Sequence, residues 1–156
     1  RSIVGDDAVV IGVGNPDRGD DGVGAEAVAR LEGGTPAGVR LVRLSGADPA
    51  EVMEAWAGFG RAFLVDAMLS GAPAGTVRRF DAVAGPLPAG VRLVSSHALG
   101  AGEAVELARA LGRLPASLVV YAVEGAPFAL GGGLSPEAAA GAAEAAAKII
   151  EEVRGA

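Results

Sequence analysis

The sequence predicts an α/β protein, a three-layer sandwich in which helices cover both faces of a mostly parallel, twisted sheet. Three observations carry that expectation. Strand-like and helix-like segments alternate along the chain, the pattern that builds parallel strands joined by crossover helices. Two strand-like segments, Val9 to Val13 and Leu118 to Val123, are continuously apolar, as strands buried on both faces are, whereas a half-exposed strand would alternate. The helix-like segments carry apolar residues at spacings of three and four. At 156 residues, with no internal repeat or linker, the chain reads as a single domain over 1–156, one large enough to bury roughly 70% of its unfolded surface.

The elements follow in order. Val9 to Val13 runs into the turn Gly14-Asn15-Pro16-Asp17-Arg18-Gly19-Asp20-Asp21-Gly22, and Val23, Ala27 and Leu31 then recur every four residues. That recurrence places a helix over about 22–31, ended by Gly33-Gly34. Val39 to Leu44 is the second strand. Asp48-Pro49-Ala50-Glu51 supplies an N-cap, a proline at the first helical position and a capping-box glutamate, so a second helix starts there. Arg61 to Asp66 is the third strand and hands over to a turn at Asp66-Ala67-Met68. The turn from Gly71 to Gly75 leads to a fourth strand, Thr76 to Phe80, marked by its β-branched and aromatic content. Pro86, Pro88 and Gly90 then break the chain. A helix over about 102–111 sets Ala104, Leu107, Ala108 and Leu111 on its core stripe, and Glu124 finishes the strand that begins at Leu118. The last helix begins at Ser135-Pro136-Glu137. Its alanine-rich run is helix because alanine is the strongest helix former and the stripe continues through Ala146, Ile149, Ile150 and Val153.

Composition narrows the chemistry. A formal net charge of −6 with scattered arginines lacks the concentrated positive face that nucleic acid requires. The absence of cysteine removes disulfides, thiolate metal sites, iron–sulfur clusters and a cysteine nucleophile, and is compatible with a reducing compartment. No apolar run approaches the roughly 20 residues of a membrane span, and the first residues do not follow the secretory-leader pattern, so the expected home is the cytoplasm.

Carboxylates and the one histidine remain. In open α/β sheets ligands sit beyond the carboxyl ends of the strands, where Asp20, Asp21 and Asp66 fall. His97, in Ser95-Ser96-His97, follows Val91 to Val94 and precedes a helix, so it can reach the same rim. Two carboxylates and an imidazole suit Zn, Ni, Mn or Fe with coordination positions left open. Each residue also has a plainer reading. Asp20 or Asp21 caps the following helix, Asp66 ends a strand, and a lone histidine is a hydrogen-bonded structural residue. The glycines admit a dinucleotide loop, since Gly22-Val23-Gly24-Ala25-Glu26-Ala27 fits G-x-G-x-x-A, although a pyrophosphate would then meet Asp20 and Asp21. A serine triad is disfavoured, because adjacent Ser96 and His97 on extended chain point to opposite faces and no G-x-S-x-G elbow occurs.

Taken together, Gly12-Val13-Gly14-Asn15, Asp20-Asp21-Gly22-Val23-Gly24, Val65-Asp66-Ala67 with Gly71 and Gly75-Thr76, and Ser95-Ser96-His97 resemble the hydrogenase maturation endopeptidases, in order and over nearly the whole chain. The resemblance implies a cytoplasmic protease that removes a short C-terminal extension from the large-subunit precursor of a nickel–iron hydrogenase once nickel has been inserted. It implies Asp21, Asp66 and His97 as catalytic and metal-contacting residues, with Ni2+ carried by the precursor and other divalent cations able to substitute. Family members carry Glu or Asp at the position of Asp21, and Asn15 and Asp20 match motif positions as turn formers or orienting residues. The metal is either a docking point that admits only loaded substrate or a Lewis acid that activates water. The competing readings are a noncatalytic metal- or precursor-binding maturation factor and a nucleotide-binding oxidoreductase.

Overall fold

The computed structural model describes residues 7–93, 100–126 and 133–155. The chain forms β1 (Ala8–Val13), a 3₁₀ turn (Gly19–Gly22), α1 (Val23–Leu31), β2 (Val39–Leu44), α2 (Pro49–Trp56), β3 (Arg61–Leu69), β4 (Val77–Asp81), β5 (Arg92–Leu93), α3 (Ala101–Ala110), β6 (Ser117–Glu124) and α4 (Pro136–Gly155). The sheet order is β2-β1-β3-β6-β4, with β5 paired to β3. Strands β2, β1, β3 and β6 are mutually parallel, while β4 and β5 run antiparallel. The three-layer α/β expectation holds.

Local chemistry starts the helices where the sequence says it must. The Asp48 carboxylate accepts from Glu51 N at 3.1 Å ahead of Pro49, and Ser135 Oγ accepts from Ala138 N at 3.2 Å ahead of Pro136. On one face of the sheet, Ile11, Leu64, Met68 and Val120 pack against Val52, Met53 and Trp56 of α2 and Ala104, Val105 and Ala108 of α3. On the other, Val10, Phe63, Val119 and Tyr121 meet Val28 and Leu31 of α1 and Ala142, Ala145 and Ile149 of α4. The alanines of α4 are largely its buried face, and they let it lie close to the sheet.

Three expectations need correction. The third strand runs to Leu69, so Asp66 lies inside a strand, opposite Ala122 of β6, rather than in a turn. The core stripe of α3 is Ala101, Ala104, Val105 and Ala108, and Leu107 and Leu111 are exposed at 43% and 56%. Small residues there bring α3 close to the sheet and to α2, which turns the two leucines outward. The fourth strand is Val77–Asp81, starting one residue later than predicted, and it is antiparallel.

The overrun of β3 shapes the carboxyl end of the sheet. Pairing between β1 and β3 stops at Gly12 with Val65, while β6 accompanies β3 as far as Met68 with Glu124. Since β6 occupies one edge of β3, β5 must lie along the other, the edge that β1 has left, where Met68 faces Leu93 and Leu69 faces Arg92. Asp66 therefore lies on β3 between its last pair with β1, at Val65, and its first pair with β5, at Met68.

Candidate functional site

The connection from β1 leads to β2 on one side, and the next crossover returns to β3 on the other. That reversal is the switch point at which doubly wound sheets bind ligands. Asp21 is delivered to it by the turn after β1, and Asp66 by β3.

The turn is held by its own backbone. Asn15 Oδ1 accepts from Asp17 N at 2.8 Å, Asp21 N donates to Arg18 O at 3.2 Å, and Asn15 N donates to Asp21 Oδ2 at 3.0 Å. Asn15 is thus the turn former that the motif implied. Gly14 has φ +131°, and a Cβ there would stand 1.9 Å from the Asp21 carbonyl oxygen. At Gly24 a Cβ would meet Val13 N at 2.5 Å and Val65 O at 2.6 Å. These glycines let the acidic turn and the start of α1 rest directly on the ends of β1 and β3. The glycines of the G-x-G-x-x-A stretch are themselves packed against protein backbone, Gly22 against Pro16 and Gly24 against Val13 and Val65, which counts against the dinucleotide reading.

Asp21 is 1% exposed and Asp66 is wholly buried. Asp66 Oδ1 accepts from Ala67 N at 2.8 Å, and Oδ2 has no hydrogen-bond partner among the described residues. Burial pushes the Asp66 carboxyl well above the usual 3.8; the Ala67 N–H opposes the rise, and the neighbouring charge of Asp21 adds to it. The two acids are therefore electrostatic neighbours. Two carboxylates, one of them with an open oxygen, form an incomplete donor set of the kind a divalent cation fits.

His97 lies outside the described residues, which flank it at Leu93 and Gly100. Those two flanking residues are in contact, since a Cβ on Gly100 would be 2.8 Å from Leu93 O. Leu93 pairs with Met68 at the end of β3, and Gly100 lies against Leu93. Among the described residues no group of three His, Cys, Asp or Glu side chains could hold a metal ion.

The capping reading of Asp20 and Asp21 does not hold, because α1 has Gly22 at its N-cap and no side-chain cap. Asp20, 3% exposed, instead bonds to distant chain: Oδ1 accepts from Ser135 N at 2.7 Å, and Oδ2 accepts from Ala126 N at 2.8 Å and Ser135 Oγ at 2.7 Å. Glu124 does end β6, and its side chain is also buried, accepting from Ser70 N at 3.1 Å and Ser70 Oγ at 2.5 Å. Ser70 carried no signal in the sequence, and Ser135 carried only that of a helix start. The signal for Glu124 was present, for an acid closing a continuously apolar strand is costly to bury without a donor.

These features define the class first: a doubly wound α/β protein whose chemistry-bearing groups are buried acids at the switch point. Residues 27–152 match the family model HycI, hydrogenase maturation protease, and the chain belongs to that family of hydrolases, which act on nickel-containing hydrogenase large-subunit precursors. Asp66 and His97 fall within the match and Asp21 just before it. The [NiFe] hydrogenase maturation protease HybD from Thermococcus kodakarensis is 26% identical with a TM-score of 0.72, covering 94% of this chain and 98% of that one. The hydrogenase maturating endopeptidase HybD from E. coli, 24% identical with a TM-score of 0.72 and covering 96% and 93%, shares the fold. So does the [NiFe] hydrogenase maturation protease HycI from Thermococcus kodakarensis KOD1, at 21%, 0.68, 95% and 92%. No curated protein sequence matches the chain. No helix among the described residues is long and apolar enough to cross a membrane.

Proposed function

We propose that this chain is an endopeptidase that removes the C-terminal extension of a nickel–iron hydrogenase large-subunit precursor after nickel insertion, and that Asp21, Asp66 and His97 contact the precursor's nickel. The observation that carries this reading is Asp66. A wholly buried carboxylate with one oxygen lacking a partner among the described residues, beside a second acid, is costly to ionise. A divalent cation arriving with the substrate supplies the charge that both acids need. Loaded precursor then docks, and precursor without metal meets only two acids that repel each other. Nickel acts in this account as a specificity check, and other divalent cations of similar preference for oxygen and nitrogen donors substitute for it. The reaction takes place in the cytoplasm, and residues 1–156 act as one domain.

The test is mass spectrometry of a precursor incubated with the protein. Nickel-loaded precursor is shortened, and the metal-free form is left intact. Asp21→Asn, Asp66→Asn and His97→Ala each abolish shortening while keeping the fold. Full processing by all three variants overturns the site assignment, and stable binding of loaded precursor without cleavage by the wild type makes the protein a noncatalytic maturation factor.

A further inference from the structure

The two adjacent acids of the turn do different work, and only one is an electrostatic neighbour of Asp66. We propose that Asp20 is a positioning residue, a charged clasp that fixes the acidic turn to the start of α4 and thereby sets where Asp21 stands; this rests on the reading that Asp21 contacts the substrate's nickel.

The geometry calls for a side chain that accepts on both of its outer atoms. Among the described residues the groups that Asp20 bonds are donors: Ser135 N at 2.7 Å on one oxygen, Ala126 N at 2.8 Å and Ser135 Oγ at 2.7 Å on the other. The serine hydroxyl is committed as a donor, because its oxygen already accepts from Ala138 N at 3.2 Å. Ser135 also precedes the 20-residue α4, so the charge of Asp20 sits at the positive end of a long helix dipole. Asp20, 3% exposed, is thus buried with a donor against each of its oxygens.

The clasp joins chain more than a hundred residues apart, and Ala126 and Ser135 share one carboxylate oxygen. Asp20 and Asp21 occupy one short 3₁₀ turn, so a rotation of the first carries the second with it. The readable reporter of Asp21 is Asn15, whose amide donates to Asp21 Oδ2.

Asp20→Asn keeps the shape but puts an NH2 against an N–H or O–H donor, whichever way the amide is turned. In this variant amide hydrogen exchange at Ala126, Ser135 and Asn15 is expected to quicken by about tenfold or more, and kcat for loaded precursor to fall about tenfold with KM nearly unchanged. Ser135→Ala, which removes one donor of three, shifts both readouts the same way by less, and Ser135→Thr, which keeps the hydroxyl, restores them. Faster exchange at Ala126 and Ser135 with Asn15 exchange and kcat unaltered would overturn the proposal, leaving a merely structural clasp. If Asp20→Asn does not fold, Ser135→Ala and Ser135→Thr decide by the same two readouts. Wild-type protein that shortens no precursor, with Asn15 exchange responding as expected, sinks the functional reading and leaves the clasp standing.

Discussion

Asp66 and Glu152 serve the sheet from opposite faces and are treated in opposite ways. Glu152 on α4 receives both arms of the Arg79 guanidinium, at 2.8 and 2.9 Å, and the Tyr121 hydroxyl donates to it as well. The Arg79 hydrogen bonds, against some burial and helped by Tyr121 and Arg61, hold its carboxyl below the usual 4.5. Among the described residues Asp66 receives one backbone N–H, and burial first, with Asp21 adding to it, pushes its carboxyl up. A protein of this size can satisfy its acids, as Glu152 shows. Where the described residues offer a buried acid no donor for one oxygen, that oxygen is a candidate contact for a substrate group, which is how perturbed side chains come to mark functional sites.

The strongest way to break this comparison is to neutralise each acid and measure processing. Asp66→Asn is expected to lower kcat/KM for loaded precursor by roughly a thousandfold, about 4 kcal/mol of transition-state stabilisation, whereas Glu152→Gln leaves it unchanged. Equal losses from both would erase the distinction. Next in size is Gly14→Ala, which forces a Cβ to within 1.9 Å of the Asp21 carbonyl at a positive φ. It should cost about 3 kcal/mol or more in urea unfolding and abolish processing with it, because the turn cannot seat on β1.

A third prediction separates the acids by pH. The folded-state pKa of Asp66 is raised, so the native protein holds a proton that the unfolded chain releases above about 3.8, and stability falls as pH rises from there through the folded value. Asp66→Asn removes that loss. Its Tm should exceed that of the wild type at pH 7, by about 3 °C for each kcal/mol regained, with the gap closing below pH 4. A variant less stable than wild type at every pH would show that Asp66 holds the fold instead. Glu152 has the reverse sign: its contribution is present above the usual 4.5 and lost as pH falls through the depressed folded value. The smallest effect is there, since Arg79 is half exposed, and Glu152→Gln should cost about 0.5–1 kcal/mol at pH 7, fading in acid.

Much of the fold was legible. Continuous apolar runs marked the buried parallel strands, and the caps at Asp48 and Ser135 marked helix starts, because both signals depend on near neighbours in sequence. The strand count at the carboxyl end of the sheet was not. The two residues of β5 pair only because β1 stops short of β3, and nothing local encodes that difference in length. The exposure of Leu107 and Leu111 was likewise missed, since a helical stripe of alanines and valine competes with one of leucines, and close packing favoured the smaller residues.

The site divides along the same line. Patterning gave the α/β class, the scarcity of chemistry-bearing residues singled out Asp20, Asp21, Asp66 and His97, and the family resemblance of the motifs narrowed them to Asp21, Asp66 and His97, all without any coordinates. That Asp66 lies within a strand, that Asp21 is close enough to raise its pKa, and that Asp20 turns away to grip Ala126 and Ser135 were decided by tertiary structure. Hydrogen bonds and charge interactions between residues a hundred positions apart depend on where the crossovers bring the strand ends, and no local pattern in a sequence records that meeting.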